Sequence, residues 1–182
     1  VSQGPEKELI FVLGGARSGK SAWALHYAQR QYKSCLFVAT AEVLDEEMAE
    51  RVRLHRASRG PNWGLIEEPL DVPGVLETRC EGRDVVLVDC LTVWLSNVLL
   101  RNGGEGAPFY EERLLEAFTQ RRQAIIAVAN EVGSGVVPTY ALGRQFRDLA
   151  GRLNQRVASL ADKVILTVAG LPLCLKGILD EG

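Results

Sequence analysis

The chain has 182 residues, a formal net charge of −2, 47% hydrophobic residues and 24% charged residues. That length suits a single domain with a proper core, here taken as residues 1–182, and the balance is ordinary for a soluble globular protein. The slight negative charge argues against a nucleic-acid protein held through phosphate contacts, and no apolar run approaches the ~20 residues needed to cross a bilayer.

In chain order, Val1–Glu8 is polar and charged, lacks a signal-peptide core and reads as a flexible extension. The apolar run Leu9–Leu13 has the length of a strand, and the segment 20–31 is helix-compatible. Between them lies Gly14-Gly15-Ala16-Arg17-Ser18-Gly19-Lys20-Ser21, a full match to the phosphate-loop pattern. Glycines there let backbone N–H groups turn toward phosphate oxygens, and the helix adds its positive N-terminal end. Lys20 is placed to reach the β- and γ-phosphates, and the Ser21 hydroxyl to hold Mg2+. The ligand class is therefore a nucleoside triphosphate with a divalent metal.

Further apolar runs follow at Cys35–Ala39, Val85–Val88, Ala124–Ala129 and Lys163–Ala169, separated by helix-length segments near 45–58, 109–122 and 141–161. Continuous β-branched runs are what strands buried on both faces require. Alternation with helices predicts an α/β fold in three layers, with a mostly parallel central sheet. Breakers at Gly60-Pro61, Pro69–Gly74, Asn102–Pro108 and Gly133–Pro138 read as loops. Asp89 closes the Val85–Val88 run, as a metal-holding carboxylate does in phosphate-loop enzymes. The widely spaced Cys35, Cys80, Cys90 and Cys174 fit neither a zinc site nor a disulfide framework, and point to small buried thiols in a reducing cytoplasm.

Two histidines are present. His26 lies within the first helix and reads as a surface or packing residue. His55 continues an apolar stripe of Leu44, Met48 and Val52 at helical spacing, with Arg51 and Arg59 one turn away on either side and Arg53 and Arg56 close by. One reading is a core histidine flanked by solvated arginines. The other is an anion-binding helix face, because arginines recognise phosphate bidentately and would lower the imidazole pKa, leaving a neutral nitrogen able to act as nucleophile or base. Spacing does not choose between them.

The phosphate loop, Ala39-Thr40-Ala41-Glu42, Asp45-Glu46-Glu47-Met48, the Arg51/His55/Arg59 spacing, Asn130-Glu131-Val132-Gly133, Val137-Pro138 and the run from Arg144 to Gln155 together cover nearly the whole chain. In these motifs the sequence resembles the bifunctional adenosylcobinamide kinase / adenosylcobinamide-phosphate guanylyltransferase family of cobalamin biosynthesis. The resemblance implies a RecA-like phosphate-loop fold, a homotrimer, and two reactions. A nucleoside triphosphate, ATP or GTP, phosphorylates adenosylcobinamide. GTP then gives GMP to adenosylcobinamide phosphate, releasing pyrophosphate. It further implies that His55 carries the GMP and that nucleotide contacts come from Gly14–Ser21, Thr40, Ala41, Glu42, Arg56, Ala57, Ser58, Arg59, Glu67 and Asp89. Asp89 stands where family members can carry Glu, and Thr139-Tyr140 is a less typical continuation of Pro138. The rival readings are a phosphate-loop kinase without guanylyl transfer and a nucleotide-dependent switch that binds a protein.

Overall fold

The computed structural model describes residues 7–41 and 62–179. Strands are β1 Leu9–Gly14, β2 Cys35–Ala39, β3 Trp63–Glu67, β4 Val85–Asp89, β5 Ala124–Asn130, β6 Lys163–Val168 and β7 Leu171–Lys176. Helices are α1 Lys20–Gln31, α2 Val72–Thr78, α3 Leu91–Thr119 and α4 Ala141–Leu160. All seven strands form one sheet in the order β3-β2-β4-β5-β1-β6-β7, parallel throughout except for the antiparallel β6–β7 pair.

The continuous apolar runs follow from burial on both faces. Leu9 and Phe11 pack with Val86, Val88, Ile125 and Ala127 against α2, α3 and α4. Their neighbours Ile10 and Val12 pack with Leu87, Ile126 and Val128 toward Ala24 and Ala28 of α1. Alternate residues of a strand face opposite ways, so a sheet covered on both sides must be apolar at every position. This is the predicted three-layer arrangement. The predicted 45–58 helix lies outside the described residues.

Four elements differ from expectation. β3 and β7 were not among the predicted apolar runs. β3 is short and half-buried, and β7 is a largely exposed edge strand, with Leu171, Leu173 and Leu175 at 72%, 56% and 56% exposure. Where Pro69–Gly74 reads as a loop, Asp71 instead caps α2 by accepting from the Gly74 N–H, and Pro73 falls in the first turn, where its missing N–H costs nothing. The expected 109–122 helix is the second of two helical segments that span Leu91–Thr119 and meet at Gly103. The Asn102–Pro108 stretch stays helical apart from the break at Gly103, whose φ of 67° suits glycine. The apolar side chains Leu91, Trp94, Leu95, Val98 and Leu99 drive the first segment by packing on the sheet, and Trp94 Nε1 donates to the Leu70 carbonyl at 2.8 Å. At the other end of the chain, Lys7 and Glu8 are tied down: the Lys7 carbonyl accepts from Arg121 and the Glu8 carbonyl from Ile125.

All four thiols are free, with Cys35, Cys80 and Cys90 buried and Cys174 half-buried. Burial pushes each of the first three up to about 11. Since the thiolate is the reactive species, Cys174 alone is expected to react quickly with an aromatic disulfide reagent in the native protein. The other three should be titrated only after denaturation. Rapid native release of more than one equivalent would contradict this packing.

Candidate active site

Parallel register puts the carboxyl ends of the strands in one row. Gly14 is level with Asn130 on one side and Thr167 on the other, and Asp89 is level with Ala39 and Val128. Open α/β sheets bind ligands outside this edge. With neighbouring strands ~4.8 Å apart, Asp89 lies two spacings, roughly 10 Å, from the strand that carries the phosphate loop. Glu67 lies four spacings, roughly 19 Å, away.

The loop is held from below. The buried Ser18 hydroxyl lies 2.8 Å from Thr167 Oγ1, which donates to the Leu13 carbonyl at 3.1 Å. The Gly170 N–H, in the β6–β7 turn, donates to the Ser18 carbonyl at 2.8 Å. A Cβ on Gly14 would run into Ser18 Oγ, Thr167 Oγ1 and the Thr167 carbonyl. Gly19 has a φ of +94° and would bring a Cβ to 3.0 Å from Gly170 Cα. The motif glycines are thus required by close approach at one position and by backbone conformation at the other. Gly15, Ala16 and Arg17 form the exposed crest, with Arg17 at φ 56°.

Lys20 opens α1. It is buried, and its Nζ donates to the Gly15 carbonyl at 3.2 Å, folding the ammonium over the loop. Ala16, Arg17, Gly19, Lys20, Ser21 and Asn130 line a cavity of about 600 Å3 here. Asp89 and Lys20 both act on Cys90: burial raises that thiol, the Asp89 carboxylate adds to the rise, and the Lys20 ammonium opposes it. Among the described residues no three His, Cys, Asp or Glu side chains gather as a metal site. Ser21 and Asp89 nevertheless suit Mg2+, which takes one or two protein ligands and fills its remaining positions with phosphate oxygens and water.

Just after the end of β2, three strands from the loop strand, Thr40 is fully buried. Its hydroxyl donates to the Cys90 carbonyl and accepts from the Cys90 N–H, both at 2.8 Å. The Asn97 side-chain amide donates to the Thr40 and Pro69 carbonyls, linking the turns after β2 and β3. Thr40 so braces the segment after Asp89, and Ala41, half-buried, continues the chain toward the ligand edge. Glu67 ends β3 on the exposed surface. Glu42, His55, Arg56, Ala57, Ser58 and Arg59 lie outside the described residues. Sequence reasoning missed Thr167, Gly170, Asn97 and Thr92, whose hydroxyl accepts from the Asn130 N–H at 2.6 Å. Thr167 could have been noticed as a polar residue near the end of an apolar strand. The others carry no local signal.

A second groove, about 670 Å3, lies between α3 and α4. It is bordered by Arg156, which is bonded to Glu111 and Glu112, and contains none of the strand-end residues.

Residues 10–175 match the family model described as cobinamide kinase / cobinamide phosphate guanyltransferase. The chain belongs to that family. Its relatives include the bifunctional adenosylcobalamin biosynthesis protein CobP of Pseudomonas aeruginosa, 43% identical over 91% of this chain and 96% of the relative. They also include the bifunctional adenosylcobalamin biosynthesis protein CobU of Salmonella typhimurium, 37% identical over 92% of this chain and 99% of the relative. The fold is that of RecA-like phosphate-loop NTPases. It is shared with the flagellar accessory protein FlaH of Methanocaldococcus jannaschii at a TM-score of 0.51 and 17% identity, over 96% of this chain and 80% of that one. The type III secretion ATPase EscN of enteropathogenic E. coli shares it at 0.56 and 14%, over 90% of this chain and 43% of that one. At these identities the likeness is one of fold alone.

Two substitutions test the site's framework. Thr40→Val strands two buried backbone groups of Cys90, each costing roughly 1–3 kcal/mol when unsatisfied, so a clear drop in the denaturant midpoint is expected. Gly14→Ala should abolish tight triphosphate binding, measured calorimetrically, because the added Cβ displaces Ser18 and Thr167.

Proposed function

We propose that this chain phosphorylates adenosylcobinamide with a nucleoside triphosphate, then transfers GMP from GTP to adenosylcobinamide phosphate, yielding adenosylcobinamide-GDP and pyrophosphate. The observation that carries this reading is the family match across residues 10–175, on a chain whose phosphate loop and Asp89 share one sheet edge.

In the kinase step the loop N–H groups and the α1 N-terminus cradle the β- and γ-phosphates. Lys20 exchanges the Gly15 carbonyl for phosphate oxygens and stabilises the charge that builds up during transfer. Ser21 and Asp89 would hold Mg2+, which when bound neutralises phosphate charge and orients the γ-phosphoryl group. In the second step a nitrogen of His55 attacks the α-phosphorus of GTP and pyrophosphate leaves. An oxygen of adenosylcobinamide phosphate then displaces the histidine. A covalent intermediate divides one difficult transfer into two easier ones. Arg56–Arg59, with Ala41, Glu42 and Glu67, would hold the guanine nucleotide; Thr40, expected among these contacts, is fully buried with its hydroxyl on Cys90 and would act only as a brace. The residues would act as one domain, in a homotrimer in the cytoplasm. The exposed leucines of the β7 edge support association, since bare apolar edges invite pairing. The free thiols fit a reducing compartment. Among the described residues no helix is long and apolar enough to cross a membrane.

GTP labelled at the α-phosphate should leave an acid-labile, base-stable label on the protein that His55→Ala abolishes while cobinamide phosphorylation persists. An unlabelled but kinase-active protein would favour the rival reading of a plain small-molecule kinase. Lys20→Ala should lower both reactions by about 10²-fold or more, the usual loss on removing one preorganised phosphate contact. Normal guanylylation with abolished phosphorylation would instead indicate two nucleotide sites.

A further inference from the structure

Asn130 ends β5, the strand between the phosphate-loop strand β1 and the Asp89 strand β4. Its backbone is held by side chains from two helices. The N–H donates to Thr92 Oγ1 at 2.6 Å, and the carbonyl accepts from Asn154 Nδ2 at 3.2 Å. The next residue's N–H donates to the Gly14 carbonyl at 3.1 Å, tying this strand end to the root of the loop. The side chain has no comparable role. Its Oδ1 is buried and has no hydrogen-bond partner among the described residues, although the residue lines the cavity beside Lys20 and Ser21.

A buried acceptor without a donor is costly and rare. Among the described residues the fold does not use it, since the framework bonds of Asn130 run through its backbone. Triphosphate oxygens are themselves acceptors and would not satisfy it. Among the groups that the kinase reading brings to this cavity, the attacking hydroxyl is a donor. The torsion about the Cβ–Cγ bond of Asn is broad, so a turn of the carboxamide carries Oδ1 into the cavity it already borders.

Resting on the kinase reading above, we propose that Asn130 Oδ1 accepts a hydrogen bond from the substrate hydroxyl and aims its oxygen at the γ-phosphorus. The hydroxyl oxygen forms the new bond to phosphorus, and the bridging β–γ bond breaks. The nucleoside diphosphate leaves with that electron pair, and the hydroxyl proton passes to solvent. Asn130 orients the hydroxyl until that proton leaves for solvent, and takes no proton itself. Asn130 ends the strand between the loop strand and the Asp89 strand and lines the same cavity as Lys20 and Ser21, within reach of a group that approaches the phosphate there.

The test is Asn130→Ala in the full chain, assayed with ATP or GTP and adenosylcobinamide. Expected are a kcat for phosphorylation lower by about 10- to 100-fold, as for a misplaced nucleophile, a nucleotide Kd within about threefold of wild type, and a Tm equal or higher because an unsatisfied buried acceptor has gone. Asn130→Asp, which keeps an acceptor there, should recover part of kcat. A kcat within about threefold of wild type would overturn the proposal. So would a loss seen in nucleotide Kd or in Tm with kcat intact, which would make Asn130 a nucleotide ligand or a structural residue. If wild type itself leaves adenosylcobinamide unphosphorylated, the functional reading fails separately. The same kcat comparison is then made on phosphate release, with water as the attacking hydroxyl, and an unchanged rate there overturns the role of Asn130.

Discussion

The parallel register of β6, β1, β5 and β4 is the constraint on which the rest of the molecule depends. It brings Thr167, Gly14, Asn130 and Asp89 to one edge of the sheet, although they are scattered over more than 150 positions of chain. Slipping any of these strands by one residue would exchange its two buried faces. Because Leu9 and Phe11 pack on one side and Ile10 and Val12 on the other, each into its own cluster, such a slip would misfit both layers at once. The packing of the core therefore sets the position of polar residues that are not part of it.

On that edge, the phosphate loop is braced before any ligand arrives. Ser18 rests on Thr167, Gly170 holds the Ser18 carbonyl, and the Glu131 N–H holds the Gly14 carbonyl. Three contacts from two separate segments, the β6–β7 hairpin and the end of β5, so fix the root of the loop, while its crest at Gly15–Arg17 stays exposed. A preorganised cradle does not have to be ordered when phosphate binds, which is where such a site gains affinity and rate. The turn after β2 is fixed in a comparable way, through Thr40 on Cys90 and Asn97 on Thr40. In both places buried hydroxyls and amides hold backbone, leaving the exposed backbone and the charged side chains for ligand.

The edge also has two ends. The loop, Lys20, Ser21, Asn130 and Asp89 lie at its centre, whereas Glu67 lies four strand spacings from the loop. In the proposed chemistry the γ- and α-phosphorus atoms of the nucleotide are the targets of two different nucleophiles. A single fold serves both because the nucleotide, not the protein, carries the two reaction centres.

Much of this was legible in the sequence. The phosphate loop declared itself because its glycines, lysine and serine are contiguous, and the buried strands because both their faces are apolar. Asp89 followed from ending such a strand. β3, β7, α2 and the first turns of α3 were not legible, since each is shaped by what it packs against: Trp94 by the sheet and Leu70, α2 by the Asp71 cap, β7 by its single neighbour. By itself the sequence determined the ligand class and the layer architecture, because those depend on residues adjacent in the chain or repeating at short period. Only the tertiary structure decided that Thr167, Gly170 and Asn97 brace the site and that the Asn130 carboxamide oxygen is without a donor among the described residues. Those are contacts between segments far apart in the chain, and no local pattern encodes them.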